Sequence, residues 1–145
     1  MSVEANKALV RRWLEDVWNS SDLAAIDLLF APNYTVNDVS YPPAAVKQAV
    51  QYLHTAFAPI TATIEDLIAE DDKVVVRWSL RGAHSGSFMD LPPTGQLVHL
   101  TGINIYRIAN NQIVANHEQV NAAEVVQQLR SALATSSADE PATAS

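Results

Sequence analysis

The chain of 145 residues suits one domain better than two, and 48% hydrophobic against 17% charged residues gives it the apolar material for a sizeable core. A net charge of -7 lacks the basic excess that nucleic acid or an anionic membrane surface demands, which leaves a small organic molecule as the expected partner. The chain has no cysteine, so disulfides, thiol nucleophiles and thiolate metal sites are excluded.

The opening M-S-V-E-A-N-K-A-L-V-R-R lacks the unbroken apolar core of a secretory signal, and no segment reaches the roughly 18 apolar residues of a membrane span. A cytoplasmic protein without membrane contact is expected. Over residues 3–19, Leu9, Val10, Trp13, Leu14, Val17 and Trp18 recur at spacings of three and four, and Ser2 can cap, so an amphipathic helix is expected. Ser21 or Asp22 as cap and Pro32 as stop predict a short second helix over 23–30. A third begins at Pro42-Pro43 and runs to about 57, and the intervening Y-T-V-N-D-V-S reads as a short strand or loop.

After Pro59 the chemistry turns to β-branched runs. I-T-A-T-I-E-D-L-I-A, K-V-V-V-R-W-S-L-R-G, L-V-H-L-T-G-I-N-I-Y-R-I and Q-I-V-A-N-H-E-Q-V are separated by turn signals at Asp71-Asp72, Pro92-Pro93-Thr94-Gly95 and Asn110-Asn111. Four successive strands predict a mainly antiparallel sheet. A helix over 122–133 closes the domain, taken as 1–134, and 135–145 is expected to form a flexible C-terminal tail for want of apolar residues. The order of elements implies an α+β fold with helices packed on one face of a curved sheet.

Register then sorts the side chains. If Asn110-Asn111 is a two-residue turn with positive φ at both positions, Ala109 pairs with Gln112, and strict alternation sets Asn104 opposite His117, Gly102 opposite Gln119 and Tyr106 opposite Ala115 on one face. Asn116 and Glu118 then fall on the other face with Ile103 and Ile105. In the preceding strand Trp78 and His84 belong to the inner set. The expected inner face therefore holds Trp78, His84, Asn104, Tyr106, His117 and Gln119, and a slip of one residue would invert it.

The segments N-K-A-L-V-R-R-W-L-E-D-V-W-N, D-L-A-A-I-D-L-L-F-A-P-N-Y, G-A-H-S-G-S-F-M-D-L-P-P-T-G and T-G-I-N-I-Y-R-I, with the Q-Q-L ending, resemble the SnoaL-like polyketide cyclases, or ester cyclases, of the nuclear-transport-factor-2-like superfamily. The resemblance covers residues 6–129. It implies a cone-shaped barrel with an apolar pocket, usually a homodimer, working without metal or cofactor. It also implies ring closure by intramolecular aldol condensation, in which a carboxylate takes a proton from carbon and neighbouring donors stabilise the enolate. In the family that carboxylate is an Asp in a W-x-x-x-D-like pattern near the end of the last strand. Here the pattern falls on His117 and Asn121, and an amide cannot act as a general base near neutral pH.

Three residues are thus candidates for the chemistry. His117 is the expected proton shuttle, or else a core histidine bonded to Asn104. Asn121 is a donor to developing negative charge, or a helix cap paired with Glu124. Asp38 is the reserve carboxylate, or a solvated turn residue. Trp18, Tyr34, Asn37, Trp78, His84, Asn104, Tyr106 and Gln119 are expected to bind substrate, with Phe88 and Met89 as further lining, although His84 in G-A-H-S-G also suits a structural bond to the following loop. His54 and His99 are expected on exposed positions, and no metal site is assembled. The function expected is cofactor-independent cyclisation or isomerisation of an apolar or polycyclic carbonyl substrate, with epoxide opening as a variant, and a non-catalytic ligand-binding or dimerisation module as the alternative.

Overall fold

The computed structural model describes residues 2–139. Helix α1 spans Val3–Arg12: Ser2 caps it by accepting the Ala5 amide at 3.0 Å, Glu4 sits in the first turn, and Arg11 and Arg12 in the last, each charge matched to its end of the helix dipole. The helix does not continue as expected. Over Trp13–Asn19 it widens into a π-helix, in which bonds run to the fifth residue back. Trp13 and Trp18, five apart, would diverge by about 140° around an α-helix; here their rings meet edge to face with centroids 5.7 Å apart. Asn19 then ties this end to the sheet, since its amide accepts from Ala62 N at 2.6 Å and donates to Ala62 O at 3.1 Å.

Helix α2 is Ala25–Leu29, shorter than expected because Phe30 already has extended backbone and opens strand β1, Phe30–Val36. The stretch left open as strand or loop is a hairpin: β1 turns through Asn37 (φ 48°) and Asp38 (φ 68°) into β2, Val39–Ser40. Helix α3, Pro43–Ala56, starts with Pro43 in its first turn. Strands β3 (Thr61–Glu70), β4 (Lys73–Ala83), β5 (Leu97–Ala109) and β6 (Gln112–Val120) follow, and α4 covers Ala122–Asp139. This last helix runs six residues past its expected end, into Ala- and Ser-rich chain that carries helix propensity without an apolar face; residues 140–145 of the expected tail lie outside the described residues.

The six strands form one sheet in the order β2-β1-β6-β5-β4-β3. All neighbours are antiparallel except β1 and β6, which run parallel. The fold is α+β, a curved sheet with helices over its inner face, and the apolar inner residues of β4 and β5 join Leu9, Val10, Val17, Ile26, Val50 and Leu129 of the helices in one core. Among the described residues no helix is long and apolar enough to cross a membrane.

The decisive feature lies in β6. Asn110 (φ 52°) and Asn111 (φ 59°) make the anticipated turn, and Ala109 pairs with Gln112 and Ile108 with Ile113 as expected. Then the register shifts: Arg107 faces Ala115, leaving Val114 as an extra, unpaired residue. Every pair beyond it is displaced by one, so Asn104 opposes Glu118 and Tyr106 opposes Asn116. Strand β5 keeps its expected inner set, and β6 presents the opposite one. Burial follows: Asn116 is 3% exposed, whereas His117 and Gln119 are exposed.

Candidate active site

A cavity of about 360 Å³ lies between the helices and the inner face. Aromatic walls dominate it: Trp13 and Trp18 from the π-helix, Tyr34 from β1, Trp78 from β4, Tyr106 from β5 and Phe88 from the loop after β4. Its polar groups are Asn104, Asn116 and Glu118 on neighbouring strands, with the hydroxyls of Tyr34, Tyr41 and Tyr106. Glu118 is the one carboxylate among the lining residues, and no lysine or arginine lines the cavity.

These polar groups form a single network. Asn104 Nδ2 donates to Glu118 Oε2 at 3.1 Å and to the Tyr106 hydroxyl at 3.0 Å, while Asn116 Nδ2 reaches the same Glu118 oxygen at 3.4 Å. Both bonds to Glu118 fall on Oε2. The Asn104 carbonyl is fixed in turn by Trp78, whose Nε1–H donates to Oδ1 at 2.7 Å. Trp78 reaches this place because Gly102 faces it across the strands: a Cβ at 102 would stand 2.4 Å from the indole Cζ2 and 2.9 Å from the Gln119 carbonyl. Alanine at 102 would therefore push the ring off Asn104. From the edge of the sheet, Asn37 Oδ1 accepts the Glu118 amide at 3.0 Å, and the Asn37 amide donates to the Asn116 carbonyl at 2.8 Å, so the turn before β2 holds the backbone of the two β6 residues that face inward.

Electrostatics keep the phenols protonated. Burial raises the Tyr34 hydroxyl far above the ordinary phenol range, the Asn116 side chain acting against it and the Glu118 charge adding to it. Tyr41 is raised by burial and then by Glu118. Tyr106 is raised well above its ordinary value by burial first and Tyr34 next, with the bond from Trp13 opposing.

Several expected site residues lie elsewhere. The bulge turns His117 and Gln119 to the outer face, and His117 Nε2 lies 3.5 Å from Asp38 Oδ1, with both side chains more than half exposed. Asp38 occupies the outer hairpin turn and Asn37 supports backbone without lining the cavity. The Asn121 side chain neither points inward nor caps α4: its oxygen accepts the Thr101 amide at 2.8 Å and its nitrogen donates to the His99 carbonyl at 3.1 Å, while its backbone carbonyl receives the Glu124 amide. Met89, 57% exposed, points away from the cavity. His54, expected on the surface, is half-buried and stacks on Trp18, its ring nitrogens each 2.8 Å from a carbonyl oxygen, of Val50 and of Trp18.

His84 is fully buried and braces the loop that carries Phe88: its Nδ1 accepts the Thr94 amide at 3.2 Å and lies 2.9 Å from Thr94 Oγ1. Burial lowers its imidazole from the ordinary 6.5, backbone groups of Leu91 and Gly86 acting the other way. A lowered folded value means the unfolded chain takes up a proton below pH 6.5 that the folded ring refuses, so stability is full above about 6.5 and falls as the pH drops through that window. Thermal melts between pH 7.5 and 5 are expected to show a steeper acid loss for the wild type than for His84→Gln; parallel curves would show that this ring takes no part.

A model of the family described as SnoaL-like polyketide cyclase matches residues 8–129. The chain belongs to the SnoaL-like polyketide cyclase family. This SnoaL-like chain is similar to a candidate polyketide cyclase from Acidithiobacillus ferrooxidans, at 26% identity and a TM-score of 0.78, covering 91% of this chain and 99% of that one. Another match is IdmH, a candidate polyketide cyclase from Streptomyces antibioticus, at 25% identity and a TM-score of 0.75, covering 86% and 97%. AclR from Streptomyces galilaeus, described as a candidate hydroxylase, shares the fold at 24% identity with a TM-score of 0.79, covering 90% of this chain and 83% of its own. No curated protein sequence matches. Among the described residues of the SnoaL-like chain, no group of three or more His, Asp or Glu side chains is placed to hold a metal ion.

Strict alternation turned Asn116 and Glu118 outward, and Trp13 and Tyr41, outside the alternating strands, were not among the residues expected to line the cavity. The available signal was the apolar triplet Ile113-Val114-Ala115, which carries no alternation and so leaves room for an unpaired residue.

Proposed function

We propose that this SnoaL-like protein is a cofactor-independent enzyme that uses Glu118 as a general base to withdraw a proton from carbon next to a carbonyl, in a flat, uncharged organic substrate. The enolate then closes a ring onto a second carbonyl or is reprotonated elsewhere. The observation that carries this reading is one carboxylate, held at one oxygen by the Asn104 and Asn116 amides, in a cavity otherwise walled by aromatic and aliphatic groups. A base must be positioned before its basicity matters, and these two bonds position it. A cavity with a carboxylate and no cationic group disfavours an anionic ligand, since burying such a charge unpaired is costly.

2-Tetralone, a neutral bicyclic ketone with acidic hydrogens beside its carbonyl, is the probe of choice. In D2O the protein is expected to accelerate loss of those hydrogens in the proton NMR spectrum by at least tenfold over buffer; exchange at the buffer rate counts against the reading. Following the family resemblance, we also place a second copy of the chain on the outer face, where Leu97, Ile103 (50% exposed) and Ile105 (41%) offer apolar surface. Sedimentation is expected to give about twice the 15.8 kDa chain mass, and an Ile103→Lys/Ile105→Lys pair the single mass; a wild-type monomer would rule this out.

A further inference from the structure

Tyr106 receives two hydrogen bonds on one oxygen. The Trp13 indole N–H donates to it at 2.9 Å and the Asn104 amide at 3.0 Å. Neither group can accept in return from those atoms, so the hydroxyl must direct its own proton elsewhere. The residue is 2% exposed, yet it lines the cavity.

The amide of Asn104 cannot exchange its ends to relieve this. Its oxygen takes the Trp78 N–H at 2.7 Å, and a flip would set donor against donor at Trp78 and acceptor against acceptor at Glu118. One Asn104 nitrogen thus touches both Tyr106 and Glu118, fixing the spacing between a protonated phenol and a carboxylate on one wall. Bonds received at the oxygen polarise the O–H and strengthen it as a donor. Burial keeps the phenol in the protonated form that can donate.

We propose that the Tyr106 hydroxyl is a second catalytic residue, the donor that stabilises negative charge developing on the substrate carbonyl oxygen while Glu118 takes the proton from the adjacent carbon. This rests on the reading of Glu118 as base. In the first step the C–H bond breaks, its proton passes to the Glu118 carboxylate, and its electron pair becomes the new C=C bond. The carbonyl π pair moves onto oxygen, where the Tyr106 O–H donates to it. In the second step the enolate carbon forms a C–C bond to another carbonyl of the same substrate, whose oxygen takes the proton held by Glu118. Atoms and electrons balance without any further reactant. A fixed donor in a water-poor site is effective because it is already oriented when the charge appears.

The test uses two probes in the full-length protein. With 2-tetralone, Tyr106→Phe is expected to slow hydrogen exchange by about 30-fold to 1,000-fold, and Glu118→Gln to remove it. With 2-naphthol, a planar analogue of the enol, absorbance should show that the bound hydroxyl ionises at a pH at least one unit lower in Glu118→Gln than in the Glu118→Gln/Tyr106→Phe pair, because only the first retains the donor. Exchange within threefold of wild type in Tyr106→Phe, or naphthol that ionises at the same pH in both variants, overturns the assignment and leaves the Glu118 reading standing. Naphthol that ionises as expected in a protein that never exchanges tetralone upholds the donor and sinks the base. If circular dichroism finds Tyr106→Phe unfolded, Trp13→Phe replaces it: loss of one donated bond should slow exchange about threefold to 30-fold, and no slowing overturns the proposal.

Discussion

Glu118→Gln is expected to lower turnover of the physiological substrate, and tetralone exchange with it, by about 100-fold to 10,000-fold, the usual contribution of a positioned general base. The substitution is nearly isosteric and keeps an oxygen for the Asn104 and Asn116 amides, which donate to Oε2 in the wild type. Fold and ligand affinity should therefore survive, and the loss should fall on kcat with KM little changed. A matching ligand-binding titration with naphthol separates the two: retained binding with lost exchange identifies the base. Activity within tenfold of wild type would place the base on another residue.

Insertion of one alanine between Ala115 and Asn116 is expected to turn the end of β6 over. With Val114 still unpaired and Arg107 still facing Ala115, the added residue would stand opposite Tyr106 and so set His117 against Asn104 and Gln119 against Gly102. Asn116 and Glu118 would then face outward. Catalysis should fall at least as far as in Glu118→Gln, and the buried Asn104 amide, stripped of its carboxylate, would cost about 1–3 kcal/mol as an unpaired donor. The Gln119 side chain would meet the Trp78 ring that now lies over Gly102. Denaturant melts would read the stability loss, and NMR contacts between His117 and Asn104 would read the inversion. Persistence of Asn104–Glu118 contacts would mean that the added residue had been taken up as a second unpaired position and that the residue count before Asn116 does not set the facing.

The order of elements, the inner face of β4 and β5, and the Asn110-Asn111 turn were legible in the sequence because each follows from local chemistry: apolar periodicity, a cap, two residues tolerant of positive φ. The inner face of β6 was not, because alternation carries facing forward only while no residue is unpaired. Three apolar residues in succession, Ile113 to Ala115, are compatible with a shift at any of them. The resemblance to the family pointed to the last strand for a carboxylate, and counting along the chain from the W-x-x-x-D pattern led to Asn121, whose side chain bonds the β5 backbone. The carboxylate that lines the cavity, Glu118, sits three residues earlier. Likewise the 13–19 segment reads as ordinary amphipathic helix, since a π-helix buries Trp13, Leu14, Val17 and Trp18 with spacings that α-helical periodicity also allows.

That widened helical turn bears on how members of one fold are compared. A chain lacking one residue between Trp13 and Trp18 could close the same segment as plain α-helix with the wall residues on either side still facing as they do here, because the wide turn takes up the one extra residue. Placed in columns without a gap at that turn, two such relatives would line up side chains that look into different space, and would pair a cavity wall in one with a surface position in the other. Side chains that bind substrate in this fold therefore correspond by location in the cavity, and insertions and deletions of a single residue are substitutions in disguise.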